Sequence, residues 1–293
     1  MILRVDPNNS NTVYAGAINW FRSTNGGFSW TQISKWSNNA SMNTLSIPLV
    51  HADQHAMEFK PGSSDTVLIG NDGGVFYSTN ISTSTTSSLA IPSRNKNYNV
   101  TQFYACALHP TAGNNHMLAG SQDNGTIRVN VSGVGAGTEV RGGDGAFCFI
   151  DQNQPQFQIA SYVYNTYYLS TNGGATTFTT QLIRDLTVGA FINPADYDNN
   201  RNALYAARTN TTLTRVRNVT GTFSDDNITV TGMNSRASAI RVSQHTTSSS
   251  TVFVGTNNGQ VFKVTNADGT PSATRIDKTP MPGGSVSCIE VGG

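Results

Sequence analysis

The segment Val50-His51-Ala52-Asp53-Gln54-His55 sets two imidazoles and a carboxylate at alternate positions, ahead of the apolar run 56–59 and Pro61. In an extended chain, residues i, i+2 and i+4 point to one side, so His51, Asp53 and His55 are predicted to share a face. Imidazole and carboxylate at that spacing can hold zinc or another divalent ion, above all with Asp72 or Asp144 as a further ligand. They can equally contact a polar ligand or hydrogen-bond the neighbouring backbone at the entrance to a strand. The sequence has no second histidine cluster to complete a metal set, so backbone bonding ranks first, ligand contact second and metal third. A divalent ion is the one cofactor these residues suggest.

Three further carboxylates lie in glycine-rich segments: Asp72 in the stretch NDGG, Asp123 in QDNG and Asp144 in GGDG. The glycines read first as turn residues. Carboxylates gathered at one mouth repel and shift one another's proton affinity unless an ion, an arginine or a ligand compensates, and Arg141 and Arg184 are candidates for that role. Two carboxylates can work as an acid and base pair, which makes Asp72, Asp123 and Asp144 the candidate catalytic residues. Tyr98, Phe103, Tyr104, Tyr162 and Tyr164, with Trp20 and Trp36, can stack on sugar rings, although most aromatic side chains belong to packing.

The elements that must position these residues are strands. Of the 293 residues, 37% are hydrophobic and 12% charged, and Asn, Thr, Ser and Gly abound, a balance suited to short strands and polar turns. The 18 basic residues are scattered and the net charge is +1, which argues against nucleic acid as a partner. No apolar run is long enough to cross a bilayer, and the start lacks a secretory signal, so the chain is expected to be either cytoplasmic or a piece of a longer protein. Cys106, Cys148 and Cys288 have no metal-ligand spacing and are expected as small buried residues on inner strands.

An internal repeat sets the architecture. LRVDP ends at Pro7, MEFKP at Pro61, CALHP at Pro110, CFIDQ at Gln152, AFINP at Pro194, AIRVSQ at Gln244 and CIEVGG at Gly293, with separations of 54, 49, 42, 42, 50 and 49 residues. Each full unit continues with a turn, a second strand, a short Asn-Gly, Asp-Gly or Gly-Gly turn and a third strand, which is a hairpin signature. Units of this length with room for a fourth strand predict an all-β fold, a β-propeller of four-stranded antiparallel blades with six repeats and the first strand of a seventh. The expectation is one propeller domain over residues 1–293, a fragment of a longer chain carrying further domains. Loops entering each first strand and turns between second and third strands should open on one end of the channel, gathering the polar residues named above.

Ser23-Thr-Asn25-Gly-Gly27-Phe-Ser-Trp30 resembles the Asp-box, or BNR repeat, of sialidases, xyloglucanases and sortilin-like propellers. Ser170-Thr-Asn172-Gly-Gly174-Ala-Thr-Thr-Phe178 resembles it with one extra residue before the aromatic. In both copies Asn stands where the family prefers Asp. From residue 51 to 175 the order of motifs is similar to that in large secreted bacterial proteins with sortilin-like or xyloglucanase-like propellers, and the composition is similar to that of Bacteroidota surface proteins. The resemblance implies a secreted or cell-surface module that binds a polysaccharide or protein ligand or serves as a scaffold; the alternative it implies is a xyloglucanase-like hydrolase. Binding or scaffold ranks first, because the Asp-boxes speak to folding whereas no acid/base pair is placed.

Overall fold

The computed structural model describes residues 1–39, 41–98, 100–133, 135–278 and 283–292. Alternating apolar residues interrupted by polar turns fold here into antiparallel meanders, used one after another along the chain, so the chain is an all-β protein of the β-propeller class. It divides into two compact units, Met1–Val100 and Thr101–Gly293.

The first unit holds two sheets. β1 (Ile2–Asp6), β2 (Asn9–Gly16), β3 (Trp20–Ser23) and β4 (Thr31–Gln32) form one; β5 (Gln54–Phe59), β6 (Val67–Asn71) and β7 (Gly74–Ser78) form the other. The second sheet has three ladder strands rather than four. Its outer place is taken by residues 92–94, where Tyr77 N–H donates to the Pro92 carbonyl at 3.1 Å and Arg94 N–H to the Val75 carbonyl at 2.8 Å. Tyr14, Trp20, Met57, Ile69, Phe76 and Ile91 share a single apolar core in this unit.

The second unit holds four meanders of four strands. The third blade is β8 (Ala105–Leu108), β9 (Met117–Ser121), β10 (Gly125–Val129) and β11 (Thr138–Arg141), and the fourth is β12 (Cys148–Ile150), β13 (Gln158–Ser161), β14 (Asn165–Ser170) and β15 (Thr180–Asp185). The fifth is β16 (Ala195–Asp198), β17 (Ala203–Ala207), β18 (Thr212–Arg217) and β19 (Ser224–Thr229), and the sixth is β20 (Ala237–Val242), β21 (Val252–Thr256), β22 (Val261–Thr265) and β23 (Ser272–Arg275). Successive side chains on a strand face opposite sides, so each inner blade feeds two cores. On β14, Tyr168 joins the core with Leu118 and Phe178, whereas Tyr167 joins that with Leu182 and Leu204. On β17, Leu204 faces back toward Tyr167 while Tyr205 packs with Val254 and Phe262. Each such fully buried side chain contributes roughly 1.5–3 kcal/mol, and none could be buried by one sheet alone.

Two details of the repeat are corrected. The fifth first strand is Ala195–Asp198, so the residue equivalent to Gln152 is Asn199 rather than Pro194, and the flanking separations become 47 and 45 residues. Pro194 lacks the N–H that a ladder needs and instead precedes the strand. The seventh first strand forms no ladder over 283–292, and Gly293 lies outside the described residues. That segment runs beside the sixth blade, with Val286 N–H donating to the Thr256 carbonyl at 3.1 Å and Ser238 Oγ to the Val286 carbonyl at 2.8 Å.

Candidate functional site

The histidine motif of the first unit does not form the extended alternation. Asp53 adopts φ 63, in the left-handed region, and β5 starts only at Gln54, with a bulge that sets His55 between the pairs Gln54–Asn71 and Ala56–Gly70. The three side chains therefore do not share one strand face. The exposed His55 imidazole meets the Asp72 carboxylate, an ion there would compete with that pair, and the His51 ring lies against Gly73, whose missing Cβ leaves it room.

The residue that organises this corner is Gln54, which the sequence reading passed over. Its side chain is buried; Oε1 accepts from Trp20 Nε1 at 2.6 Å and from Asn71 Nδ2 at 3.2 Å, while Nε2 donates to the carbonyls of His51 and Ile18. Trp20 is thus 0% exposed and committed to the core, not a sugar-stacking surface. A glutamine between two histidines carries no metal-ligand signal, but a buried carboxamide with a partner on each polar atom is what a close-packed turn requires.

In the second unit, the turn carrying Asp123 and the lead-in carrying Asp144 do come together. Asp123 N–H donates to Asp144 Oδ1 at 3.2 Å, with Asp123 at φ 63. Gly120 and Gly145 permit the approach, since a Cβ on the first would collide with the Ala146 carbonyl and one on the second with the Gly125 carbonyl. Arg141 does not join them. It ends the outer strand β11, its guanidinium lies 3.5 Å from the Tyr168 ring centroid, and Nη1 donates to the Phe178 carbonyl at 3.2 Å, which fastens the third blade to the fourth.

Arg184 is exposed on the outer strand β15. Its neighbour Asp185 accepts from Thr187 Oγ1 at 2.6 Å and pairs with Arg208 at 3.2 Å, and those Thr187 bonds, helped by Arg208, hold its carboxyl below the usual range. Tyr104 donates its hydroxyl to Gln122 Oε1 at 3.0 Å. Tyr164, at φ 56, stands edge-on to Phe191 at 6.0 Å, and the Tyr162 ring fills the space over Gly143.

The two Asp-box-like turns are built alike. Ser23 Oγ donates to Asn25 Oδ1 at 2.9 Å and accepts from Gly27 N–H at 2.8 Å; Ser170 Oγ donates to Asn172 Oδ1 at 2.8 Å and accepts from Gly174 N–H at 2.9 Å. The aromatic differs: Trp30 is 41% exposed and caps the turn through Nε1 to the Gly27 carbonyl, whereas Phe178 is 0% exposed between blades.

A concavity of the second unit lies elsewhere than the predicted carboxylates. The first strands of its four blades surround a cavity of about 460 Å³, with Phe147, Phe149, Tyr197 and Ile240 among its walls and Gln152, Asn199, Gln244 and Arg241 among its polar groups. Gln152, Asn199 and Gln244 follow the first strands, so the cavity reaches the end opposite to Asp123 and Asp144. Its carboxylate is Asp196, 8% exposed, with Oδ2 accepting from Val242 N–H at 2.7 Å and Oδ1 from Tyr197 N–H at 2.9 Å. Burial pushes its proton affinity up, against those amides and the Arg241 guanidinium. Of the cysteines, Cys148 is buried on an inner strand as expected; Cys106 is on one but exposed, and Cys288 is exposed outside any strand.

No protein-family profile matches the chain, and no curated protein matches it. Among solved structures, an ancestral GH74 enzyme aligns at 19% identity and a TM-score of 0.48, over 94% of this chain and 38% of that one. A chain of a mitotic checkpoint complex aligns at 8% identity and the same TM-score of 0.48, over 98% of this chain and 83% of the other. The chain thus spans well under half of the GH74 structure's length. No helix among the described residues is long and apolar enough to cross a membrane.

Proposed function

We propose that this propeller is a binding module, secreted or displayed at a cell surface as part of a longer polypeptide, that takes a glycan or protein ligand in the cavity enclosed by β8, β12, β16 and β20. The observation that carries this is the make-up of the cavity. Aromatic and aliphatic walls with a few carboxamides and one guanidinium suit recognition of an amphipathic ligand. Hydrolysis of a sugar bond needs two carboxylates across the bond, roughly 5–9.5 Å apart. The cavity contributes Asp196, and both of its oxygens are already taken by backbone amides.

Glycan-array and peptide-array binding with the intact chain tests the reading. Retention of a ligand without turnover, weakened by Phe149→Ala and Arg241→Ala, supports it; binding that ignores both substitutions defeats it. The hydrolase reading keeps second place because Asp123 and Asp144 are juxtaposed. It requires polysaccharide cleavage that disappears when Asp123 or Asp144 is replaced by Asn, with Asp72→Asn as the corresponding variant in the first unit.

A further inference from the structure

A second concavity lies between the third and fourth blades of the second unit, at the end where the Ser170–Phe178 turn lies. It is a hollow of about 450 Å³, walled by His109 and His116 of the β8–β9 loop, Asn130 beyond β10, and Pro155, Gln156 and Gln158 at the approach to β13. Asn114 and Asn172 complete a set of five carboxamides, and no Asp, Glu, Lys or Arg is among the lining residues.

Both imidazoles are held by hydrogen-bonding neighbours. Gln158 Nε2 donates to the Pro155 carbonyl at 3.0 Å, and the same carboxamide engages His116 Nε2, with Nε2 at 3.0 Å and Oε1 at 3.3 Å. Thr111 N–H donates to His109 Nδ1 at 3.2 Å, which leaves the His109 hydrogen on Nε2. Their rings stand 6.0 Å apart at 70°. A metal ion would have to displace the Thr111 N–H from His109 Nδ1 and the Gln158 carboxamide from His116 Nε2, and an anion finds no cation among the lining residues. An extended peptide finds no open ladder, because the walls are turns. Carboxamides both donate and accept, as sugar hydroxyls do, and the Pro155 ring and imidazole faces offer apolar surface to the C–H side of a pyranose.

We propose that this hollow binds a neutral mono- or disaccharide, through the carboxamides of Asn114, Asn130 and Gln156 against the wall formed by His109, His116 and Pro155. The site is separate from the cavity of β8, β12, β16 and β20 and does not depend on it.

Histidine-labelled intact chain, followed by imidazole NMR while glucose, cellobiose, maltose and xylobiose are added in turn to millimolar concentrations, tests the proposal. The signals of His109 and His116 are expected to move with at least one saccharide while those of His51, His55 and His245 stay. The Asn130→Ala/Gln156→Ala variant is expected to weaken that response about tenfold or more. Asn114→Ala serves as a second, single variant should the double one unfold. Arg241→Ala, in the other cavity, is expected to leave it unchanged. No movement of His109 and His116 with any saccharide overturns the proposal. So does a response that survives the hollow variants, one abolished by Arg241→Ala, or one produced by phosphate or an extended peptide and by no sugar.

Discussion

Tyr197 Oη donates to Asp151 Oδ2 at 2.7 Å, joining the first strand of the fifth blade to the turn that ends the first strand of the fourth. Both residues are buried, and the remaining Asp151 oxygen accepts the N–H groups of Asn153 and Gln154. Burial and the adjacent carboxylate keep the phenol protonated far above its ordinary range, so it remains a donor throughout. Tyr197→Phe is expected to cost about 1–3 kcal/mol, the penalty for a buried acceptor that loses its partner. A lowered urea midpoint at unchanged slope is the readout; an unchanged midpoint would show that water replaces the hydroxyl.

The two Asp-box-like turns make the same bonds in unequal surroundings, so their variants should differ. Gly174, whose N–H leans on Ser170, is buried, whereas Gly27 is partly exposed. Ser170→Ala is expected to cost about 1–3 kcal/mol and Ser23→Ala about half of that, because solvent can reach the second amide. Phe178→Ala is expected to cost roughly 3–5 kcal/mol, well above Trp30→Ala. Denaturant unfolding of the four variants checks the order.

Arg215 is nearly buried and carries a two-pronged pair with Asp226, at 2.8 and 2.5 Å, besides donating to the Ala267 and Gly269 carbonyls. The Arg215 bonds, aided by charge attraction from Arg215 and Arg217, hold the Asp226 carboxyl below its usual range. A carboxyl lowered on folding contributes stability that is present above its unfolded value, near 4, and is lost as pH falls through the folded value. Stability should therefore drop below about pH 4, and Asp226→Asn should flatten that part of the profile. Its neutral-pH cost is expected near 1–2 kcal/mol, less than for a fully buried pair because Asp226 is partly exposed.

Cys148 is enclosed by the third and fourth blades, and burial pushes its thiol up to about 12. Cys106 and Cys288 are exposed. Iodoacetamide at pH 8 should label Cys106 and Cys288 in the folded chain and Cys148 only after denaturation, as mass spectrometry of tryptic peptides would show. Labelling of Cys148 at the rate of Cys106 would mean that this inter-blade core opens readily.

The blades were legible because alternation and Asn-Gly-type turns are local signals, and local signals are what one sequence records. Pro194 misled the fifth unit: it imitates the proline that follows a first strand in Pro7, Pro61 and Pro110, yet here it precedes one. Arg141, a candidate to compensate the carboxylates, is held in the third blade by its ladder partner Thr126, a pairing no local signal announces. Asp123 and Asp144 meet because the turn between a second and third strand and the lead-in to the next blade lie at the same end. The cavity did not, because its floor is made of strand residues whose polar members, such as Asp196, look in sequence like ordinary alternation. Gln54 was hidden by its neighbours: imidazoles draw notice for their chemistry, and a carboxamide gains its importance only from what tertiary packing brings to it.

After the first strand, four of the repeats use one side chain to hold the turn that follows: Asp6, Asp151 and Asp198 by carboxylate and Ser243 by hydroxyl, with the His109 imidazole in the same office in a fifth. The three carboxylate corners are braced a second time from the next blade: Ser64 Oγ donates to Asp6 Oδ1 at 2.7 Å, Tyr197 reaches Asp151, and Ser250 Oγ donates to Asp198 Oδ2 at 2.6 Å. Damage to one such corner should therefore be felt in the blade beside it, and a tag or second module is better hung anywhere but on these turns.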